Sequence, residues 1–200
     1  GSAHALTCGN GGSSPEEAGT PDDPYQIATV EEFYWLTQDG AGTIKGSEVY
    51  IKQVANIDAQ PIAECDPADG WESPFLSGVY DGQGHTISNL VAYPSADDSN
   101  AAALFGKFES VSGDSGVDEI KNLTLSNFSI GNPDTRDVAG FLASAGFVPT
   151  NTAKLTNLKL DGGTINTPSG GGRGWNHRDL GKFCGHGRAQ RHCGGRHDSG

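Results

Sequence analysis

The chain has no methionine, and its first 170 residues contain a single arginine, Arg136, and only two histidines, His4 and His85. It has no run of 18 apolar residues, so no segment reads as a membrane-spanning helix, and no direct membrane insertion is expected. Apolar residues make up only 34% of the 200, while glycine reaches 30. That balance excludes long buried helices and favours short elements joined by tight turns. The net charge is −12, which repels nucleic acid and anionic membranes and removes both as expected partners of the main body. Beginning at Gly1-Ser2 without methionine, the chain is expected to be a fragment or a processed product. Ala3-His4-Ala5 has the small-x-small form of a signal-cleavage site.

Cysteine is also scarce: Cys8, Cys65, Cys184 and Cys193. Only the first two lie in the well-patterned part of the chain. A disulfide between them fits an exported protein, and two free thiols fit a cytosolic one. The export reading is preferred, so the expected location is secreted or cell-surface. The last thirty residues have a different composition. Residues 171–200 hold five arginines, four of the six histidines, no valine or isoleucine, and one leucine, Leu180. Cys184, His186, His192, Cys193 and His197 offer zinc-type donors, but their spacing matches no common zinc pattern. The composition fits a disordered polar tail or a shifted reading frame of GC-rich DNA. The domain reading is therefore a flexible lead-in over 1–18, one patterned domain over 19–170, and an atypical tail over 171–200 on which no function is placed.

Within the patterned domain, Thr29-Val30-Glu31-Glu32 forms a capping box that predicts a short amphipathic helix from Thr29 to about Gln38, stopped by Asp39-Gly40. Its aromatic run, Phe33-Tyr34-Trp35, suits a core better than a sugar-binding surface. Everything after it reads as short strands, with alternation over Glu48–Val54, then Asn56–Asp58, Pro61-Ile62, Phe75–Tyr80 and Thr86–Tyr93. Between the last two lies Asp81-Gly82-Gln83-Gly84-His85. Its two glycines precede a strand rather than a helix, which argues against a phosphate loop. A turn is expected there, with Gly84 at positive φ.

A repeat runs through this region. Ile87-Ser88-Asn89-Leu90 returns as Ile120-Lys121-Asn122-Leu123 and again as Leu155-Thr156-Asn157-Leu158. A second unit, Ala103-Leu104-Phe105-Gly106, returns as Ala139-Gly140-Phe141-Leu142-Ala143. A strand-only repeat with a period in the thirties predicts an all-β chain wound as a parallel β-helix, or β-solenoid. Asn89, Asn122 and Asn157 are expected to occupy one corner ladder in the left-handed conformation. Asn122-Leu-Thr124 and Asn127-Phe-Ser129 are also glycosylation sequons.

Taken together, GTPDDPYQIATVEEF, VYIKQVANIDAQPI, FLSGVYDGQGHTISNL, ALFGKF and VAGFLASA resemble bacterial surface proteins with GLUG-type repeats, across roughly residues 19–165. The resemblance implies a right-handed parallel β-helix with one short helix capping its N-terminal end. It also implies an adhesin-like, extracellular setting and no family-wide catalytic residues. The GLUG units at Leu104-Phe105-Gly106 and Gly140-Phe141-Leu142 are degenerate.

Parallel β-helices also carry polysaccharide lyases and hydrolases, which need clustered carboxylates on one face. The candidates are Asp81, Asp118, Glu119, Asp134 and Asp137, with Asp81 and Asp118 stacked on adjacent coils. With so few cations to hold an acidic polysaccharide, a non-catalytic module for adhesion or spacing is the preferred reading, and a polysaccharide-active enzyme the alternative. A nucleophilic triad lacks a Gly-x-Ser-x-Gly elbow and has only His4 and His85 to draw on. No cofactor is required. Calcium is the one candidate, at Asp66, Asp69, Asp97 and Asp98 in the loops over 63–74 and 94–102. Expected partners are glycans, surface proteins and other domains of a longer parent chain.

Overall fold

A computed structural model describes residues 5–109, 116–145 and 152–166. The described chain is mostly β. It opens with β1 (Tyr25–Ile27), helices α1 (Val30–Trp35) and α2 (Ala41–Gly46), strands β2 (Val49–Gln53) and β3 (Ile57–Asp58), and helix α3 (Gln60–Ala63). Six short strands follow: β4 (Trp71–Glu72), β5 (Phe75–Leu76), β6 (Gly78–Asp81), β7 (Thr86–Ser88), β8 (Val91–Tyr93) and β9 (Ala101–Ala102). Then come β10 (Phe105–Phe108), the 14-residue β11 (Val117–Ile130), β12 (Asp137–Val138), β13 (Leu142–Ala145) and the 14-residue β14 (Thr152–Ile165).

Every strand pair is parallel, and each joins segments far apart in sequence. The largest sheet runs β1-β2-β6-β11-β14, with β3-β7 and β4-β8 pairing alongside the same long β11. A second sheet is β5-β10-β13, and a third is β9-β12.

Alternation within the strands turns one side of each rung inward, and the register stacks those side chains in columns. Ile51, Tyr80, Ile120 and Leu155 form one column. Ile57, Ile87, Leu125 and Leu160 form another, and Ala92, Ile130 and Ile165 a third. The members before β14 are essentially fully buried. Polar groups enter this core only with partners. Tyr80 donates to Gln53 Oε1 at 2.8 Å, while the Gln53 amide donates to the carbonyls of Ala55 and Thr86. Trp71 Nε1 donates to the Leu104 carbonyl at 2.8 Å. Such pairing removes most of the cost of burying a polar group.

The capping box forms α1 as expected. Thr29 is its N-cap and accepts from Glu32 N–H, and the Glu32 carboxylate accepts from Thr29 Oγ1 and Ala28 N–H. The helix stops at Trp35, a turn short of the expected Gln38. Its aromatic run is core: Phe33 and Tyr34 are fully buried, and Phe33 stacks on Trp71 at 4.2 Å.

The expectation of a single helix is corrected, because α2 and α3 are helical as well. The α2 segment has poor intrinsic propensity and no side-chain cap, but it buries Ile44 completely, and the Ile44 carbonyl accepts from Ser77 N–H. Tertiary packing therefore decides its conformation. The Pro61-Ile62 segment, read as extended, is instead α3. Proline is tolerated in a first helical turn, Asp58 Oδ1 accepts from Gln60 N–H, and Ile62 is buried.

No helix among the described residues is long and apolar enough to cross a membrane. The tail over 171–200, with its zinc-type set, lies outside the described residues.

Candidate functional site

The Asp81–His85 turn connects β6 to β7. Asp81 Oδ1 accepts from Gln83 N–H at 2.9 Å, and Asp81 Oδ2 accepts from Gln83 Nε2 at 3.2 Å. Gln83 sits at φ +54° and Gly84 at φ +81°. Gly82 is needed for a different reason. A Cβ there would lie 2.5 Å from the Asn122 carbonyl oxygen, so the next rung packs directly on its backbone. His85 is the only histidine among the described residues. Its backbone is held by Gly82 and Thr124, and no hydrogen bond or ion pair involves its ring among the described residues.

The Asp81 carboxylate also accepts from Asn122 Nδ2 at 3.1 Å, and Asn122 Oδ1 in turn accepts from Asn157 Nδ2 at 3.0 Å. Partial burial acts to raise the Asp81 pKa. Hydrogen bonds from Gln83 N–H, Asn122 and the Gln83 side chain, with the nearby Lys121 charge, outweigh it and hold the carboxyl below its ordinary value.

Asn89 stands in a separate column. Its Nδ2 donates to Asp58 Oδ1 at 2.9 Å, and its Oδ1 accepts from Asn127 Nδ2 at 2.6 Å. All four asparagines have positive φ, between 48° and 60°. So the three repeat asparagines do not share one column: the corner is double. One column is Asp81, Asn122, Asn157, and the other is Asp58, Asn89, Asn127. The reason is the register of β11. Lys121 pairs with Asp81 and Ser126 with Ser88, so one continuous strand supplies both corners. The motif match missed Asn127 because Ser126-Asn127-Phe128 lacks the Ile-x-Asn-Leu form. The signal available was a second asparagine five residues after the first, followed by a return to alternation.

The carboxylates considered for catalysis are dispersed. Asp118 is 2% exposed, and its Oδ1 accepts from Gly78 N–H at 2.8 Å, so it faces the interior and does not stack on Asp81. Glu119 lies 3.4 Å from Lys121 Nζ and accepts from Thr156 Oγ1. Asp134 is exposed in a turn where its N–H donates to Asn132 Oδ1, and Asp137 is exposed in β12. Of the loop acids considered for calcium, Asp97 pairs with Lys45 at 3.0 Å, and Asp98 caps the Asn100 N–H. Asp66 precedes a short 3-10 turn, Pro67–Asp69, whose last residue, Asp69, accepts from the Tyr34 hydroxyl through its carbonyl. Among the described residues no group of three or more His, Cys, Asp or Glu is placed to hold a metal ion.

The lead-in is tied down. Cys8 and Cys65 form a disulfide. Gly9 N–H donates to the Tyr34 hydroxyl at 2.9 Å, and Ser13 N–H to the Glu31 carbonyl at 3.0 Å. Residues 8–13 therefore lie against α1 and cover that end of the sheet stack.

No family model matches the chain, and no solved structure matches it. It is similar to Halomucin of Haloquadratum walsbyi, with 31% identity over 160 residues. The match takes in 74% of this chain but 2% of that protein, so the chain spans a very small part of its relative's length.

Proposed function

We propose that the chain is a right-handed parallel β-helix of the GLUG-repeat kind, acting outside the cell as a non-catalytic structural spacer in a larger surface or secreted protein. The observation that carries this reading is the in-register parallel stack with its two hydrogen-bonded corner columns. A solenoid of this kind adds length rung by rung while its cross-section stays constant, which is the mechanical requirement of a spacer. Three further features support it. The Cys8–Cys65 disulfide suits an oxidising compartment. The match to a small part of a protein named a mucin suits a modular segment of a long extracellular chain. Of the candidate carboxylates, Asp81, Asp118 and Glu119 are engaged one at a time in local hydrogen bonds or an ion pair, whereas glycoside or uronide cleavage needs two carboxylates facing one substrate.

Two assays test the reading. A glycan array, run with and without calcium, is expected to show no specific binding. A screen of neutral and acidic polysaccharides is expected to yield no new reducing ends and no unsaturated products. Selective glycan binding would turn the spacer into an adhesin, and turnover of any polysaccharide would overturn the proposal.

A further inference from the structure

β11 carries two sequons, Asn122-Leu-Thr124 and Asn127-Phe-Ser129, and the fold treats them differently. Asn122 is half-buried, and its side chain is held from both sides: its amide donates to Asp81, and its oxygen accepts from Asn157 on the next rung. Half-buried between its two partners, that amide leaves less room for a sugar than an exposed one does. Asn127 is exposed and, among the described residues, is held from one side, through its Nδ2 contact with Asn89 Oδ1. On the other side the register sets it opposite Gly162, since Ser126 pairs with Asp161 and Phe128 with Gly163. Among the described residues, no heavy atom beyond the glycine and its chain neighbours lies within 4 Å of where a Gly162 Cβ would stand. Glycine thus stands where an asparagine would complete this column in β14.

We infer that Asn127 is an acceptor for an N-linked glycan and that Asn122 is not. Transfer forms a bond between Asn127 Nδ2 and the anomeric carbon of a polyprenyl-pyrophosphate-linked oligosaccharide. The anomeric C–O bond to phosphate breaks, the lipid pyrophosphate leaves with the electron pair, and the amide loses one proton. The glycosylated nitrogen keeps one N–H, enough to retain the bond to Asn89 Oδ1, so the column survives the modification. A glycan there would project from the corner beside the last described rung.

The inference rests on the extracellular reading, so the test supplies export independently. The 200-residue chain is secreted from a host that N-glycosylates its exported proteins. Its intact mass is read before and after N-glycosidase release, with peptide mapping of the Asp left at the modified site. The expected result is one glycan, mapped to Asn127. It is expected to be lost in Ser129→Ala, retained in Ser129→Thr and unchanged in Thr124→Ala. The thermal transition of the glycosylated protein is expected to match that of the enzymatically released form within a few degrees. An unmodified secreted chain, a glycan on Asn122, or a glycoform that lacks the cooperative transition would overturn the inference. Because export is imposed by the host, a native location inside the cell would not produce any of these failures.

Discussion

β11 and β14 have the same length and pair residue for residue from Val117–Thr152 to Ile130–Ile165. While Phe128 faces Gly163, four apolar positions match: Ile120 with Leu155, Leu123 with Leu158, Leu125 with Leu160 and Ile130 with Ile165. In β11 these side chains are 0–2% exposed, whereas in β14 they are only partly buried. At these four positions nothing in the local pattern separates the two strands. β11 has β6, β7 and β8 on one side and β14 on the other, while β14 has β11 alone among the described residues. In a stack of this kind an apolar pattern becomes core only when a rung lies on each side of it. The first end of the stack differs again, because α1 and the disulfide-held residues 8–13 cover it.

The strongest way to strain this contrast is to release the covered end. The disulfide spans a sequence separation of 57, and removing a cross-link of that span from the unfolded chain costs about 4 kcal/mol by loop entropy. Cys8→Ser, followed by denaturant unfolding, is expected to show a loss of that order. A loss below about 1 kcal/mol would mean the lead-in contributes little to the stack.

The contrast between rungs is tested by one truncation at two heights of the same column. Leu125→Ala is expected to cost about 3 kcal/mol and Leu160→Ala about 1 kcal/mol, because only the first removes a fully enclosed side chain. Equal losses would show that β14 is as enclosed as β11.

The corners give a smaller, parallel contrast. Asn122→Ala removes a side chain bonded to both neighbouring rungs and puts alanine at φ +54°, for an expected loss of about 2 kcal/mol. Asn157→Ala carries the same backbone cost at φ +51° but breaks only one such bond, so its loss is expected to be smaller by about 1 kcal/mol. Asn122→Gly accepts the backbone angle and isolates the hydrogen bonds, so its loss should fall between zero and that of the alanine variant.

The smallest expected effect is on acid stability. The Asp81 carboxyl has a folded pKa below its unfolded value. Its stabilising contribution is therefore complete above the unfolded pKa and disappears as pH falls through the folded one. Between about pH 5 and pH 2 the wild type should lose more stability than Asp81→Asn. Parallel pH profiles for the two proteins would show that this carboxylate is not coupled to folding.

Much of this was legible in the sequence because it depends on local rules. The Thr29 cap and its glutamate announce α1, the alternation announces the strands, and the returning Ile-x-Asn-Leu phrase announces a period in the thirties. What was not legible depends on neighbours distant in sequence. Ala41–Gly46 is helical because Ile44 has a buried site to fill, and Gln60–Ala63 because Asp58 and the rung above anchor its start. The double corner was hidden for a related reason. Aligning the repeats by their motif sets Asn122 on Asn89, but the structural step between these rungs is longer than the motif spacing. The amide contact spans 38 residues from Asn89 to Asn127, and 41 from Asp81 to Asn122. The motif tracks local corner chemistry, and the register is set by which apolar side chains share a column.

That register is the central claim, and paired cysteines test it most directly. Ser88 lies opposite Ser126 in the structure, whereas motif alignment would set it opposite Lys121. Under mild oxidation, with mapping of the non-reduced peptides, Ser88→Cys with Ser126→Cys is expected to cross-link within one chain, and Ser88→Cys with Lys121→Cys is not. A cross-link to position 121 in place of 126 would contradict the two-column stack.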